Sequence, residues 1–341
     1  MAHSPRRLIL FFCILLIVSI FASLRLGAVS IDWVVYRQLL TWQSNASYSE
    51  QLLILQQIRL PRVVLAVLVG SALSVGGVLM QTLFHNPLVE PSLVGISGGS
   101  ALFAVLYLVF GKFVFGAVLF DFQAYILPLC AFAGGWLATL LAQYFAQVGK
   151  QIAITRLLLL GVAINSFTGA LIGFFLFFAE DATLRSFTFW SLGSLAHTTW
   201  EKNLVIASIE TICLGLIFTY RKTLDVWILG EREAFFLGIN TARIKQMIIW
   251  LNALLISTVI AFVGMIGFIG LIVPHIIRLT GISQHKYLLP LTALAGAILL
   301  LWADTLARIV VSPSELPIGV ITALIGTPFF VFLLLKDKSA I

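Results

Sequence analysis

Charged residues are scarce in this sequence. Asp, Glu, Lys and Arg make up 10% of its 341 residues, against roughly 25% in soluble domains. That shortage excludes a water-covered exterior for a chain of this size. With 60% hydrophobic residues and a mean hydropathy of +1.07, the solvent that suits it is lipid. Cysteine is nearly absent. Cys13, Cys130 and Cys213 each lie in an apolar run with no CxxC spacing, and read as small buried hydrophobes. Five scattered histidines and no HExxH leave no expected metal site. Gly111-Lys112 and Gly149-Lys150 lack the upstream Gly and following Ser or Thr of a phosphate-binding loop, so the chain is not expected to bind ATP by itself. No relay of carboxylates runs through the apolar stretches, as a proton-driven carrier would often use. The net charge is +7, but no basic patch interleaved with aromatics accompanies it, which excludes nucleic acid as a partner.

What is present is a succession of long apolar runs. A bilayer core takes about 20 apolar helical residues. Runs near 8–28, 61–84, 93–110, 124–145, 154–178, 203–220, 244–264, 268–281, 288–309 and 317–335 give about ten candidate spans. The expected fold class is therefore all-α: a polytopic membrane protein. The first run follows Arg6 and Arg7 but meets no small-x-small cleavage site before Arg25, so it is read as a retained span. If the N-terminus is cytoplasmic and the spans alternate, 13 of the 21 Lys and Arg residues fall inside and 8 outside. That bias places both termini in the cytoplasm. The seventh and eighth runs are crowded by Gly264, Gly267 and Gly270. The eighth is expected to start as an extended Gly-rich stretch, with a short helix only after Pro274. Irregular backbone at that depth needs a protein-lined interior.

Three connections are long: 30–60, 178–202 and 221–243. The last mixes charge with apolar residues at helical spacing and predicts one amphipathic helix, either lying on the membrane or docking a partner. Asp304 and Arg308 are spaced i,i+4 near the end of the ninth run, as a structural ion pair would be. The turn at Asn86-Pro87-Leu88 after the second run and Val273-Pro274-His275 after the seventh are loosely alike. They follow spans of opposite direction, which points to an inverted internal repeat. Composition and spacing alone stop at a polytopic transporter or channel.

Motifs carry the reading further. Arg59-Leu60-Pro61-Arg62 leads into a run ending GGVLMQTLFHNPLVEPSLVGISGGSA, followed later by GFIGLIVPHIIRLTGISQHKYLLP, WADTLAR and ELPIGVITALIGTPFFVFLL. In this order the chain resembles the FecCD-type permeases of ABC importers for iron siderophores, haem and cobalamin, over about 59–335. The stretch 184–200, LRSFTFWSLGSLAHTTW, resembles the haem-type branch more than the cobalamin branch.

The resemblance implies a single permease domain over 1–341 and ten helices per subunit. It also implies a homodimer in the bacterial inner membrane, in contact with lipid, with the pore between the two copies. Two cytoplasmic ATPase subunits would hold ATP and Mg, a periplasmic substrate-binding protein would dock outside, and this chain would bind no cofactor and do no covalent chemistry. Leu229, Gly230, Glu231, Arg232, Glu233, Ala234, Leu237 and Gly238, within 221–243, are similar to the family's ATPase-coupling segment. Arg59, Arg62 and Arg308 resemble outer arginines that grip acidic residues of the binding protein, with snorkelling to lipid phosphate as the alternative. Arg185, Phe189, Trp190, Gly193, Ser194 and His197 fall where the family carries a short gating helix. Arg185 would meet a haem propionate and His197 the iron; a packed gate without ligand contact is the other reading. The function implied is import of an iron chelate, haem favoured over ferric siderophore or cobalamin, by alternating access; a secondary carrier is the reading outside the family.

Overall fold

The structure, a computed structural model, describes residues 4–27, 31–41, 49–115, 123–149, 151–196, 198–312 and 314–336. Helices dominate: α1 Pro5–Arg25, α2 Trp33–Thr41, α3 Ser49–Leu53, α4 Leu60–Phe84, α5 Ile96–Phe115, α6 Gln123–Ala146, α7 Ile154–Phe177, α8 Asp181–Ser191, α9 Trp200–Thr219, α10 Arg221–Trp227, α11 Glu231–Phe236, α12 Thr241–Val263, α13 Ile269–Leu279, α14 His285–Ile309 and α15 Ile318–Lys336. A π-helical turn, Ile54–Arg59, joins α3 to α4. A two-stranded antiparallel hairpin, β1 Gln147–Val148 and β2 Gln151–Ile152, precedes α7. Seven helices among the described residues are long and apolar enough to cross a membrane, and three shorter apolar helices accompany them. Each expected run falls on one of these ten.

The helices pack by close backbone approach. Lipid supplies no hydrophobic drive for helices to associate, so small residues that let backbones touch take over that role. A Cβ added at Gly70 of α4 would stand 2.4 Å from the Gly296 carbonyl oxygen of α14, and one at Gly77 would stand 1.8 Å from the Gly270 oxygen of α13. Ser74 Oγ, one turn on from Gly70, donates to the Thr292 carbonyl at 2.9 Å. Helix α1 joins the same bundle: Trp302 Nε1 donates to Ser19 Oγ at 3.1 Å and Thr305 Oγ1 to Ser23 Oγ at 2.9 Å.

Helix ends follow local chemistry. Pro61 sits in the first turn of α4, directly after the π-helical turn. The helix closes at His85, in the left-handed region at φ 50°, with the Asn86 N–H returning to the Gln81 carbonyl at 3.1 Å. The Asn86 side chain then accepts from the Leu88 N–H and sets the turn.

Two irregular segments, 86–95 and 264–268, meet beside the middle of α4 and α12. Glu90 Oε1 accepts from the Phe268 N–H at 3.1 Å, and Asn252 Nδ2 of α12 donates to the Pro91 carbonyl at 2.8 Å. Protein groups thus satisfy backbone that lipid could not.

One expectation for this region is corrected. The helix after the Gly-rich stretch starts at Ile269 and carries Pro274 inside it, not before it. Pro274 has no N–H to offer the Gly270 carbonyl. Gln81 Nε2 supplies the missing donor, at 3.3 Å to Gly270 O, and also lies 3.2 Å from Leu271 O, while its Oε1 accepts from Arg278. Gln81→Leu is therefore expected to cost about 1–3 kcal/mol, the desolvation penalty of buried acceptors left unpaired. Denaturant titration of the detergent-solubilised protein measures it; a loss within error of zero would contradict this account of the Pro274 helix.

Candidate coupling and gate sites

The segment expected to form one amphipathic helix is two short ones. Gly230, at φ 120°, breaks it between α10 and α11, and Gly238, at φ 84°, ends α11. Both values lie where a Cβ is disfavoured, so the pair of glycines decides the break. Ala234 is the residue of α11 that turns inward and is fully buried, whereas Phe235, Phe236 and Leu237 are 65%, 84% and 64% exposed. Leu229 is also exposed, as are Arg232 and Glu233. A cavity of about 560 Å³ lies beside them, bounded by Gln151, Glu231, Arg232, Phe235, Phe236 and Thr241.

Buried bonds tether this segment to the body. Asp225 Oδ1 accepts from both the backbone N–H and Nδ1 of His285, each at 2.7 Å, and His285 Nε2 lies 3.1 Å from Thr82 Oγ1. His85 Nε2 stands 2.8 Å from the Trp227 carbonyl. Glu231 pairs with Lys245 of α12 at 2.6 Å. The sequence reading counted Lys245 only as one of many inside charges. The structure buries it, and Asp225, His285 and His85 join it as residues that the reading did not single out; only long-range contacts distinguish them.

The expected gate lies at the opposite end of α12. Phe189, Trp190 and Ser194 line a cavity of about 580 Å³ together with Lys202, Phe262 and Glu315. Arg185 stands on the exposed side of α8 and does not line it. Gly193, at φ 74°, turns the chain after α8. Its flanking backbone is pinned on both sides: the Ser194 N–H donates to the Val263 carbonyl at 2.8 Å, and the Ile318 and Gly319 N–H groups donate to the Gly193 and Leu192 carbonyls at 3.1 and 2.9 Å. The last two are among the orphan donors at the start of α15, which the gate loop satisfies. His197 lies outside the described residues.

Arg59, Arg62 and Arg308 gather at this same end but point inward, at 5%, 5% and 8% exposure. Arg62 Nε bonds both Asp304 oxygens at 2.9 and 3.2 Å, and its Nη1 bonds Glu315 at 2.8 Å. Arg308 Nε meets Asp304 at 3.1 Å, so the expected i,i+4 pair is present. Arg59 Nη1 donates to the Leu24 carbonyl at 2.6 Å. Asp304, 1% exposed, thus pairs with two guanidiniums and ties α4 to α14. Of the acids in this cluster, Glu315 is the one that reaches solvent, at 42% side-chain exposure.

An apolar helical bundle with irregular backbone at mid-depth, an apolar-faced tethered segment at one end and a pinned short helix beside a cavity at the other defines a multi-pass membrane permease. The comparisons with known proteins make the class specific. Residues 15–336 match the model of the FecCD transport family. The chain is 40% identical over 338 residues to the hemin transport system permease protein HmuU of Yersinia pestis, covering 98% of this chain and 97% of that one. It is 37% identical over 281 residues to the vitamin B12 import system permease protein BtuC of Salmonella typhi, covering 82% and 83%. A solved metal-chelate type ABC transporter in an inward-facing conformation superposes with a TM-score of 0.83 at 31% identity, covering 98% of this chain and all of that one. The chain belongs to the FecCD transport family. It is an ABC importer permease, a multi-pass protein of the bacterial inner membrane, and in its family ATP hydrolysis belongs to separate subunits.

Proposed function

We propose that this chain is the pore-forming subunit of an ATP-driven importer that moves an iron chelate, with haem the favoured cargo, into the cytoplasm by alternating access. The observation that carries this reading is the 40% identity to a hemin permease across nearly the whole of both chains. The identity to a vitamin B12 permease supports cobalamin as the second reading, over a shorter stretch.

Seven long apolar helices and three shorter ones make ten crossings, with both termini and the α11 end in the cytoplasm. The two irregular segments at mid-depth, after helices of opposite direction, suit an inverted repeat. Two copies enclose the pore. Phe167, Phe174 and Phe177 of α7, 66%, 59% and 82% exposed, mark a face for the second copy or for lipid. Two ATPase subunits, holding ATP and Mg, receive Leu229–Gly238 through the exposed Phe235, Phe236 and Leu237. A short helix in a groove passes on rigid-body motion without a covalent link.

The binding protein lands on the α8 end. Arg59, Arg62 and Arg308 serve this landing by exchange: an acidic residue of the binding protein would take the place of Glu315 on Arg62. Arg185, Phe189, Trp190, Gly193, Ser194 and His197 form the outer gate, with Arg185 placed to meet a cargo carboxylate.

The test reconstitutes the permease with its ATPase and binding protein in liposomes and compares uptake of haem, a ferric siderophore and cobalamin. Haem uptake that requires ATP and all partners is expected. Phe236→Asp is expected to lower uptake about tenfold or more, as loss of an aromatic interface anchor does. Uptake of cobalamin alone would discard the haem assignment, and uptake without the ATPase would discard the ATP-driven reading.

A further inference from the structure

Lys245 is an unusual residue for its place. It lies in the first turn of α12 and is 2% exposed, and its ammonium gathers three elements of the α11 end. Nζ pairs with Glu231 of α11 at 2.6 Å, donates to the Ile152 carbonyl of β2 at 2.9 Å, and stands 5.9 Å from the centre of the Trp227 ring of α10. Two of these contacts are direct bonds, and the ring is a cation–π neighbour at the edge of its range.

From Lys245, α12 runs unbroken to Val263, about 27 Å at 1.5 Å per residue. At its far end the Val263 carbonyl accepts from Ser194 of the gate loop at 2.8 Å. Gly264, at φ 77°, follows, and a Cβ there would stand 2.0 Å from the Trp190 carbonyl oxygen. The gate backbone therefore rests directly on the end of α12.

Most of α12 is buried, though Trp250 is 43% exposed. Asn252 bonds the irregular segment at Pro91, and Gly76 and Gly135 bring α4 and α6 against it. A helix held this way moves as a unit, since close-packed interiors do not deform continuously.

We infer that Lys245 is a positioning residue that locks α11 to α12, making α12 the rod through which displacement of the coupling segment reaches the gate loop at Trp190–Ser194. This inference rests on the coupling and gate roles proposed above and adds the path between them. A rival path exists. Helix α9 links the gate loop to α10 covalently, but it is less buried than α12 and carries no bond of its own to α11 among those described. If α9 were the rod, the Glu231–Lys245 pair would be dispensable.

The experiment uses the full complex of permease, ATPase and binding protein in liposomes. Cys13, Cys130 and Cys213 are replaced by alanine, and Phe189→Cys, at a position 64% exposed on α8, reports on the gate through its rate of maleimide labelling. The reading is the ratio of labelling rates with and without ATP. Lys245→Met is expected to retain ATP hydrolysis while this ratio falls about fivefold or more, the lower end of typical coupling between sites. Lys245→Arg, which keeps donors for both Glu231 and the Ile152 carbonyl, is expected to preserve it.

An unchanged ratio in Lys245→Met overturns the proposal in favour of α9. So does an assembled Lys245→Arg variant that loses the response as Lys245→Met does. If Lys245→Met does not assemble, Glu231→Gln, which keeps the Ile152 bond, gives the same decision. Phe236→Asp separates this outcome from failure of the coupling reading itself: if that variant leaves the ATP response intact, α11 is not the coupling segment, whatever α12 does.

Discussion

Asp304→Ala is expected to destabilise the isolated permease by about 3–5 kcal/mol, the range for removing one partner of a buried ion pair. The carboxylate is 1% exposed and lies between the guanidiniums of Arg62 and Arg308. Removing it leaves two like charges in a dry site, with Glu315 able to answer only Arg62. The cost comes from what is left behind more than from the bond that is lost. Asp304→Leu combined with Arg308→Met removes a charge of each sign, so the double variant is expected to be more stable than Asp304→Leu alone, by a coupling of about 0.5–3 kcal/mol. Denaturant titration in detergent measures both. A single variant that loses less than about 1 kcal/mol would show that the cluster is hydrated or rearranges. In the intact complex, the same variants test whether the binding protein draws on Arg62.

Gly77→Ala is expected to be the most damaging single methyl group in the protein. Its Cβ would stand 1.8 Å from the Gly270 carbonyl oxygen, with two further Gly270 backbone atoms within 2.8 Å. Those are backbone atoms of a neighbouring helix, so no side chain can swing aside. Helix α13 must move off α4, and the Gln81 bonds to Gly270 and Leu271 would be lost with it. Overpacking usually costs about 1–3 kcal/mol; here the strained atoms and the lost bonds add, and a loss above about 3 kcal/mol is expected. Gly215→Ala on α9 is the control. Nothing lies within 4 Å of its added Cβ, so helix propensity should favour alanine by up to about 1 kcal/mol. Similar losses at the two positions would mean that α4 and α13 are not in backbone contact.

These two sites mark the limit of what the sequence shows. A glycine reads the same whether it faces lipid, as Gly215 does, or another backbone, as Gly77 does. Arg62 near a span end reads the same whether it points to a partner, a lipid phosphate or Asp304, which is 242 residues away. Lys245 reads as one more inside charge, because topology depends on where charges lie along the chain and not on whether they are buried. The break in 221–243 was missed for a related reason. Apolar spacing signals a helix, but only the backbone angle at Gly230 shows that one helix has become two.

The sequence alone determined the class of solvent, the positions of the apolar helices and the family. Lipid cannot hydrogen-bond backbone, so a lipid-facing crossing is a run of apolar helix, and such runs are legible without knowing any neighbour. The tertiary structure alone decided which charges are buried pairs and which glycines are contacts. Those are properties of residues far apart in the chain that meet only after packing, and no local pattern encodes which of them meet.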